Sequence, residues 1–463
     1  MTEKVRFAAS SFLFVAALLT SAALVFIFGA FSLRGNSAIT GGYLLITVVS
    51  AFLLGKRKDD IFVVTSMDSA FAVFMVAATI ASLLHFDKSD YKEYLLLTVN
   101  SLFAYIAGRA LSDSVLSSIR LRLLQLSTPL VAGACIATIP NLIGETYAKP
   151  FVFGFSHATT VFCIAFGYMV IAYIHSDIEW RSRISLFFFS LIAFATAVFV
   201  ASTVRFVLLA ILITALFSLA CSIYRPFNLW RKIGLVLLAM TFGAIVGTMS
   251  RYSFVAKIND QLANTGAFSG TAMPEQNVVK IERHNLGAEN NSEIGDQLPG
   301  DPAPSEAPSI ASTSPVDEPP SCDTRFDLNN SIAIRRALLN DALFFIPKAG
   351  LFGYGLDSFS KMSCFQGYQI HNSILQTIVE FGWVAGIALI ILICIPLKAF
   401  LFGRQEFDLN LQFLLSCIAF ATLLSLIYGQ ISRELALFLF LGSFAKESLR
   451  SADGRKAITS VSA

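Results

Sequence analysis

Apolar runs of about 20 residues recur from one end of the chain to the other, each closed by a short polar segment. A helix rises about 1.5 Å per residue, so such a run crosses a hydrocarbon core ~30 Å thick. The pattern predicts transmembrane helices near 7–33, 39–55, 61–85, 94–112, 123–144, 157–175, 184–203, 206–223, 233–249, 372–396, 411–429 and 433–447. The expected fold class is all-α, a polytopic membrane bundle of about 12 helices. The first run follows Lys4 and Arg6 and is longer than the roughly 7–15 residues of a signal-peptide core, so it reads as a retained signal anchor.

The rhythm breaks once. Residues 1–249 hold nine expected helices, 250–371 form a polar loop, 372–447 hold three more helices, and 448–463 make a tail. The loop's middle, about 297–320, is rich in Pro, Ser and acids without apolar periodicity, and disorder is expected there. Its later part, Ser331 to Ile346, has the pattern of a helix lying on a membrane surface, capped by Asn330 or Ser331.

Composition agrees: 55% of residues are hydrophobic and 14% charged, against about 25% charged in soluble domains. The net charge of +3 carries little information, whereas charge placement carries much. If the N-terminus is cytoplasmic, 19 of the 34 Lys and Arg residues fall in inner segments and 6 in short outer ones; the long loop holds the other 9. Basic residues gather on the cytoplasmic side, so both termini are expected inside and the loop outside.

Few residues can carry chemistry. No phosphate-loop lysine motif is present, Gly353-Tyr354-Gly355 lacks a third glycine, and the five histidines lack metal-ligand spacing, so neither a metal nor a cofactor is expected. Polar groups at span ends or at membrane depth are costly, which makes each a candidate. Arg205 stands between two apolar runs, either snorkelling to headgroups or gripping a phosphate. His371 opens the tenth span, as an interfacial residue or a general base. Glu380 lies nine residues on, about 13 Å deeper and turned away, so the two do not form a direct dyad. Asp68 is an intramembrane acid that suits a structural pair or transport, and Asp87 and Asp90 read as a solvated loop. Five cysteines lie in spans. Cys322 and Cys364 lie in the loop, where an oxidising compartment permits a disulfide that spacing alone leaves open.

Three stretches together resemble the O-antigen ligase and polymerase superfamily of bacterial envelope glycosyltransferases. Ser202-Thr203-Val204-Arg205 is similar to that family's short Ser-Arg turn between spans. Arg335-Arg336 and the following helix, proline, Gly353, Gly355 and Phe359 resemble its arginine and glycine stretch. His371-Asn372 followed by Gly382 matches its histidine motif, although Ala385 stands where ligases often carry Gly, Thr or Tyr. The likeness covers about residues 195–390.

The resemblance implies a bacterial inner-membrane enzyme with its loop in the periplasm and its site in an outer cavity. The donor it implies is a glycan on undecaprenyl diphosphate; the acceptor is a second glycan or lipid A core. Membrane lipids are the remaining partners, and no nucleic acid is expected. Transfer would be inverting and metal-independent. His371 would activate the acceptor hydroxyl, while Arg205 and Arg336 would stabilise the departing diphosphate, with Arg335 unresolved against Arg336. Arg335, Asn372, Tyr354 and Glu380 are expected to contact substrate. Polymerase and ligase both fit. The loop's 14 acids against 9 bases favour a polymerase slightly, because they attract phosphorylated lipid A core poorly. A flippase for the same lipid-linked glycans is the alternative of another class.

Overall fold

A computed structural model describes residues 3–31, 37–55, 63–87, 90–111, 113–144, 150, 152–153, 155, 157–222, 229–264, 331–365, 367–402 and 409–447. Among these residues the fold is all-helical, with one isolated β-bridge between Val152 and Phe155. The expected disordered stretch, Asn330 and the C-terminal tail lie outside the described residues.

The first half contains α1 (Glu3–Leu18), α2 (Thr20–Ala30), α3 (Ser37–Gly55), α4 (Ser66–Leu84), α5 (Tyr91–Leu97), α6 (Ala104–Ala110), α7 (Asp113–Gly144) and α8 (Ala158–Ile174). A π-helical turn, Thr98–Phe103, joins α5 to α6. Then follow α9 (Arg183–Ala201), α10 (Arg205–Ser222), α11 (Leu229–Asn264), α12 (Ser331–Phe345), α13 (Ser358–Met362), α14 (Ser373–Phe402), α15 (Leu409–Ile427) and α16 (435–447).

Six helices are long and apolar enough to cross a membrane, in α4, α7, α9, α11, α14 and α15. The first expected span is instead two helices, α1 and α2, bent by 74° at Leu19; counted as one broken span, they make a seventh. The apolar helices Gly41–Leu54, Ala158–Ile174 and Arg205–Ala220 are shorter. The helices that contain them, α3, α8 and α10, run to 19, 17 and 18 residues. The expected span at 94–112 corresponds to a continuous helical run, 91–110, that contains the π-helical turn.

Helices pack closely where small residues allow it. Gly243 and Gly247 of α11 lie against the backbone of Ala193 and Ala197 in α9, and a β-carbon at either glycine would stand 2.2 or 2.4 Å from a carbonyl oxygen. Such small-residue faces let helix backbones approach where burial of apolar surface provides no drive. One apolar core runs through the bundle, and a second, smaller one lies beside it. The second forms because α12 is amphipathic: Ile334, Ala337, Leu338, Ala342 and Phe345 share one face and pack on Phe359, Phe365, Ile370, Ile378 and Val379. The helix expected near 331–346 is thus present, with this face turned onto protein.

Polar contacts sort the segments between helices into two sets. In one, Arg109 reaches the Val63 carbonyl, Arg120 the His175 carbonyl and Lys232 the Ser176 carbonyl. In the other, Lys361 bridges Asp87 and Asp90, Glu93 meets Ser432 and Arg433, Asn372 meets Leu426, and Arg251 meets Ala201.

Candidate functional site

The site begins with a break in α14. Gly382 has φ 81° and ψ −179°, outside helical geometry, so backbone groups on either side of it need other partners. The glycine loop supplies them. Tyr354 N–H donates to the Val379 carbonyl at 3.0 Å and Gly355 N–H to the Glu380 carbonyl at 2.8 Å. In return Trp383 N–H donates to the Gly350 carbonyl at 3.1 Å. A β-carbon at Gly353 would lie 2.4 Å from the Glu380 backbone, and one at Gly382 would lie 2.2 Å from the Leu351 carbonyl oxygen. Both glycines also have positive φ, so they are required twice, for conformation and for close approach. The glycine stretch is a backbone clasp around a helix break.

That clasp fixes the start of α14, where His371 and Asn372 stand. Asn372 caps the helix: its Oδ1 accepts from the N–H groups of Ile374 and Leu375, both at 3.1 Å, and its Nδ2 donates to the Leu426 carbonyl at 3.3 Å. This occupies the side chain expected to touch substrate. Ser373 Oγ donates to Glu434 at 2.6 Å, tying the same turn to the segment before α16.

Arg335 faces this turn. Its guanidinium lies over Tyr428 (4.8 Å to the ring centroid) and Phe206 (5.5 Å), and Nη1 reaches the Ile427 carbonyl at 3.5 Å. Its neighbour Arg336 is exposed on the other side of α12. Arg205 is the exposed first residue of α10, one position before Phe206. Burial, helped by the Arg335 charge, holds the His371 imidazole below its usual range, which favours the neutral, proton-accepting form. Among the described residues, no carboxylate pairs with Arg205, Arg335 or His371.

Backbone strain gathers here. Four non-glycine residues have positive φ among those described, and three of them are Thr203 (61°), Asp357 (61°) and His371 (56°). Such conformations cost of order 1–3 kcal/mol each and persist where the surroundings over-determine them, often at functional sites.

Other expected residues are placed differently. Glu380 is fully buried; its Oε1 accepts from Gln376, so a direct substrate contact does not fit its position. Tyr354 is half-buried, its ring edge against Phe345. Asp87 and Asp90 are bound by Lys361 at 3.0 and 2.8 Å rather than merely solvated. Asp68 forms a capping box with Thr65, receives the Tyr105 hydroxyl at 2.9 Å and pairs with Arg109 at 3.2 Å, which makes it structural. Cys364 is disulfide-bonded, and its expected partner Cys322 lies outside the described residues. No group of three or more His, Cys, Asp or Glu side chains converges like metal ligands among the described residues.

Sequence reading passed over Gln369, Gln376, Asp357, Tyr428 and Glu434. For Gln376 a signal existed, a polar side chain one turn before Glu380 inside an apolar run. For Tyr428 there was none, because its role depends on α15 ending beside α12.

The described chain is therefore an all-helical protein whose long apolar helices are of membrane-spanning type, with a strained, cation-bearing cluster at one end. Comparison with protein-family models, curated proteins and solved structures finds no match.

Proposed function

We propose that this protein is a glycosyltransferase of the bacterial inner membrane that takes a glycan from undecaprenyl diphosphate at the periplasmic face and joins it to another repeat unit. One observation supports the reading: segments far apart in sequence, at 206, 335 and 428, meet near a histidine held in a strained turn, and among the described residues Arg335 has no carboxylate partner. About twelve membrane crossings with both termini inside remain the reading of hydropathy and charge placement.

The chemistry follows from these groups. His371 takes the proton of the acceptor hydroxyl as its oxygen attacks the anomeric carbon on the face opposite the diphosphate. The bond from that carbon to the phosphate oxygen breaks, and its electron pair leaves with undecaprenyl diphosphate. Arg335 and Arg205 stabilise the charge that grows there; preorganised cations in a water-poor site are a strong source of catalysis. Arginine stays charged at any working pH, so this stabilisation does not depend on a proton equilibrium. Membership of the O-antigen ligase and polymerase superfamily accords with this arrangement.

Deleting the gene and sizing the glycans left on undecaprenyl diphosphate tests the reading. Single repeat units accumulating without longer chains is the expected result. Full-length chains stranded on the lipid would make the protein a ligase acting on lipid A core. An unchanged lipid-linked pool and a normal surface polysaccharide would overturn the proposal. Transport is the weaker reading, because Asp68 is committed to Arg109, Tyr105 and Thr65, and the other acid at membrane depth, Glu380, accepts from Gln376.

A further inference from the structure

His371 sits between two glutamines that the reaction does not use. Gln376, buried to 1% exposure, spends its whole amide. Nε2 donates to Gln369 Oε1 at 3.1 Å and to Glu380 Oε1 at 3.0 Å, while Oε1 accepts the Ile431 N–H at 2.9 Å. Gln369 Nε2 in turn donates to Asp357 Oδ1, which also accepts from Ser360 Oγ at 3.0 Å. One amide thus ties the segment before His371, the helix after it and the turn before α16, and through Gln369 it reaches the left-handed Asp357.

A primary amide provides two donors and an acceptor on one planar group. At this position a carboxylate loses both donors and a methionine loses all three bonds at similar length. Sequence separation shows what the tie does: Gln369 precedes His371 by two residues and Gln376 follows it by five, so the Gln369–Gln376 bond closes a short loop with His371 inside. Closing that loop is the kind of over-determination a left-handed histidine needs.

We propose that Gln376, acting with Gln369, is the positioning device for His371, holding the turn that keeps the imidazole beside Arg335. Neither glutamine touches the reacting atoms. The inference rests on the glycan-transfer reading only for its kinetic arm.

The test uses the full-length protein in lipid nanodiscs, as wild type, Gln376→Met and Gln369→Met. One readout is the imidazole NMR resonance of His371, assigned by its loss in His371→Ala. The other is steady-state polymerisation of an undecaprenyl-diphosphate-linked repeat unit. Both methionine variants are expected to move the His371 resonance and lower kcat about 10- to 100-fold, with KM changed by less than about twofold, because displacement by roughly 1 Å costs rates of that order. An unmoved resonance, or a moved resonance with unchanged kcat in an active enzyme, overturns the proposal. A moved resonance in a wild type that transfers no glycan sustains the positioning role and removes the transferase reading. If Gln376→Met is not recovered folded, Gln369→Met decides alone, since that side chain is half-exposed and its loss spares the buried core.

Discussion

The two ends of the bundle differ in how they hold particular polar groups. At one end Arg109 is matched by Asp68, Arg120 by the His175 carbonyl, and buried His175 by Ser416 at 3.0 Å. At the other, Lys361 and Arg433 have carboxylate partners, but Arg335 lies over two aromatic rings and reaches only the Ile427 carbonyl, Arg205 is exposed, and His371 stands in a left-handed turn beside a cation. Burying charge is expensive, so groups that serve only the fold are given partners. Among the described residues Arg335 has no carboxylate partner and His371 stands on backbone that costs energy to hold, which are features a ligand would complete.

Removing both kinds of group is the sharpest way to break that contrast. His371→Ala and Arg335→Ala are each expected to lower transfer about 10³-fold per inserted protein, the scale of losing a general base or a charge-stabilising group. Insertion and thermal stability should be little changed. Arg109→Leu should do the reverse. Stranding Asp68 in a site where both side chains are less than 10% exposed costs about 3–5 kcal/mol, so folded protein falls while turnover of the remainder holds. If His371→Ala cost folding and Arg109→Leu spared it, the distinction between the two ends would be wrong.

The pH profile sharpens the same point. Burial and the nearby Arg335 both disfavour the imidazolium, so the folded-state pKa of His371 lies below the ordinary 6.5. The neutral base therefore persists further into acid, and kcat/KM should rise with pH with its midpoint below 6.5. Replacing Arg335 with Gln removes one of the two causes and should move the residual activity's midpoint upward. A wild-type midpoint at or above 6.5 would mean that another group limits the rate.

Gly382→Ala is expected to be milder, about 1–3 kcal/mol of destabilisation from the left-handed backbone, enlarged by the approach to the Leu351 carbonyl. Thermal unfolding in detergent measures it, and Ala385, which lies in ordinary helix two positions beyond Trp383, is the comparison for substitution within the same helix.

That glycine also shows where sequence reading succeeds and where it stops. Apolar periodicity marks α4, α9 and α15 because a run of about 19 apolar residues has few other uses, and the amphipathic spacing of Ile334 to Phe345 marks α12. The bend at Leu19 leaves no mark in hydropathy, since it changes the course of the backbone without changing its polarity, and the π-helical turn at 98–103 widens one turn of an apolar run equally silently. Arg205 and His371 stood out as polar groups at span ends, and the Arg335–Arg336 pair only through the family resemblance. Their convergence did not, because it depends on how α10, α12 and α15 pack, and neither did Gln376, whose three bonds reach positions 7, 4 and 55 residues away.

The smallest effect concerns which of two adjacent arginines belongs to the site. Adjacent residues on a helix point about 100° apart, so Arg335 and Arg336 cannot both face the same turn. Arg335 is the one over Tyr428 and Phe206, beside His371; Arg336 is exposed. Arg336→Ala should therefore lower transfer less than about threefold, within the range of a lost surface charge, against the loss of about 10³-fold expected for Arg335→Ala. The resemblance in sequence supports either alignment, so it makes no choice between them. Packing does, because the apolar stripe of α12 fixes the helix's rotation. If Arg336→Ala proved the more damaging, α12 would have to turn by about a quarter of a revolution when substrate binds, carrying Leu338 and Ala342 out of the second core.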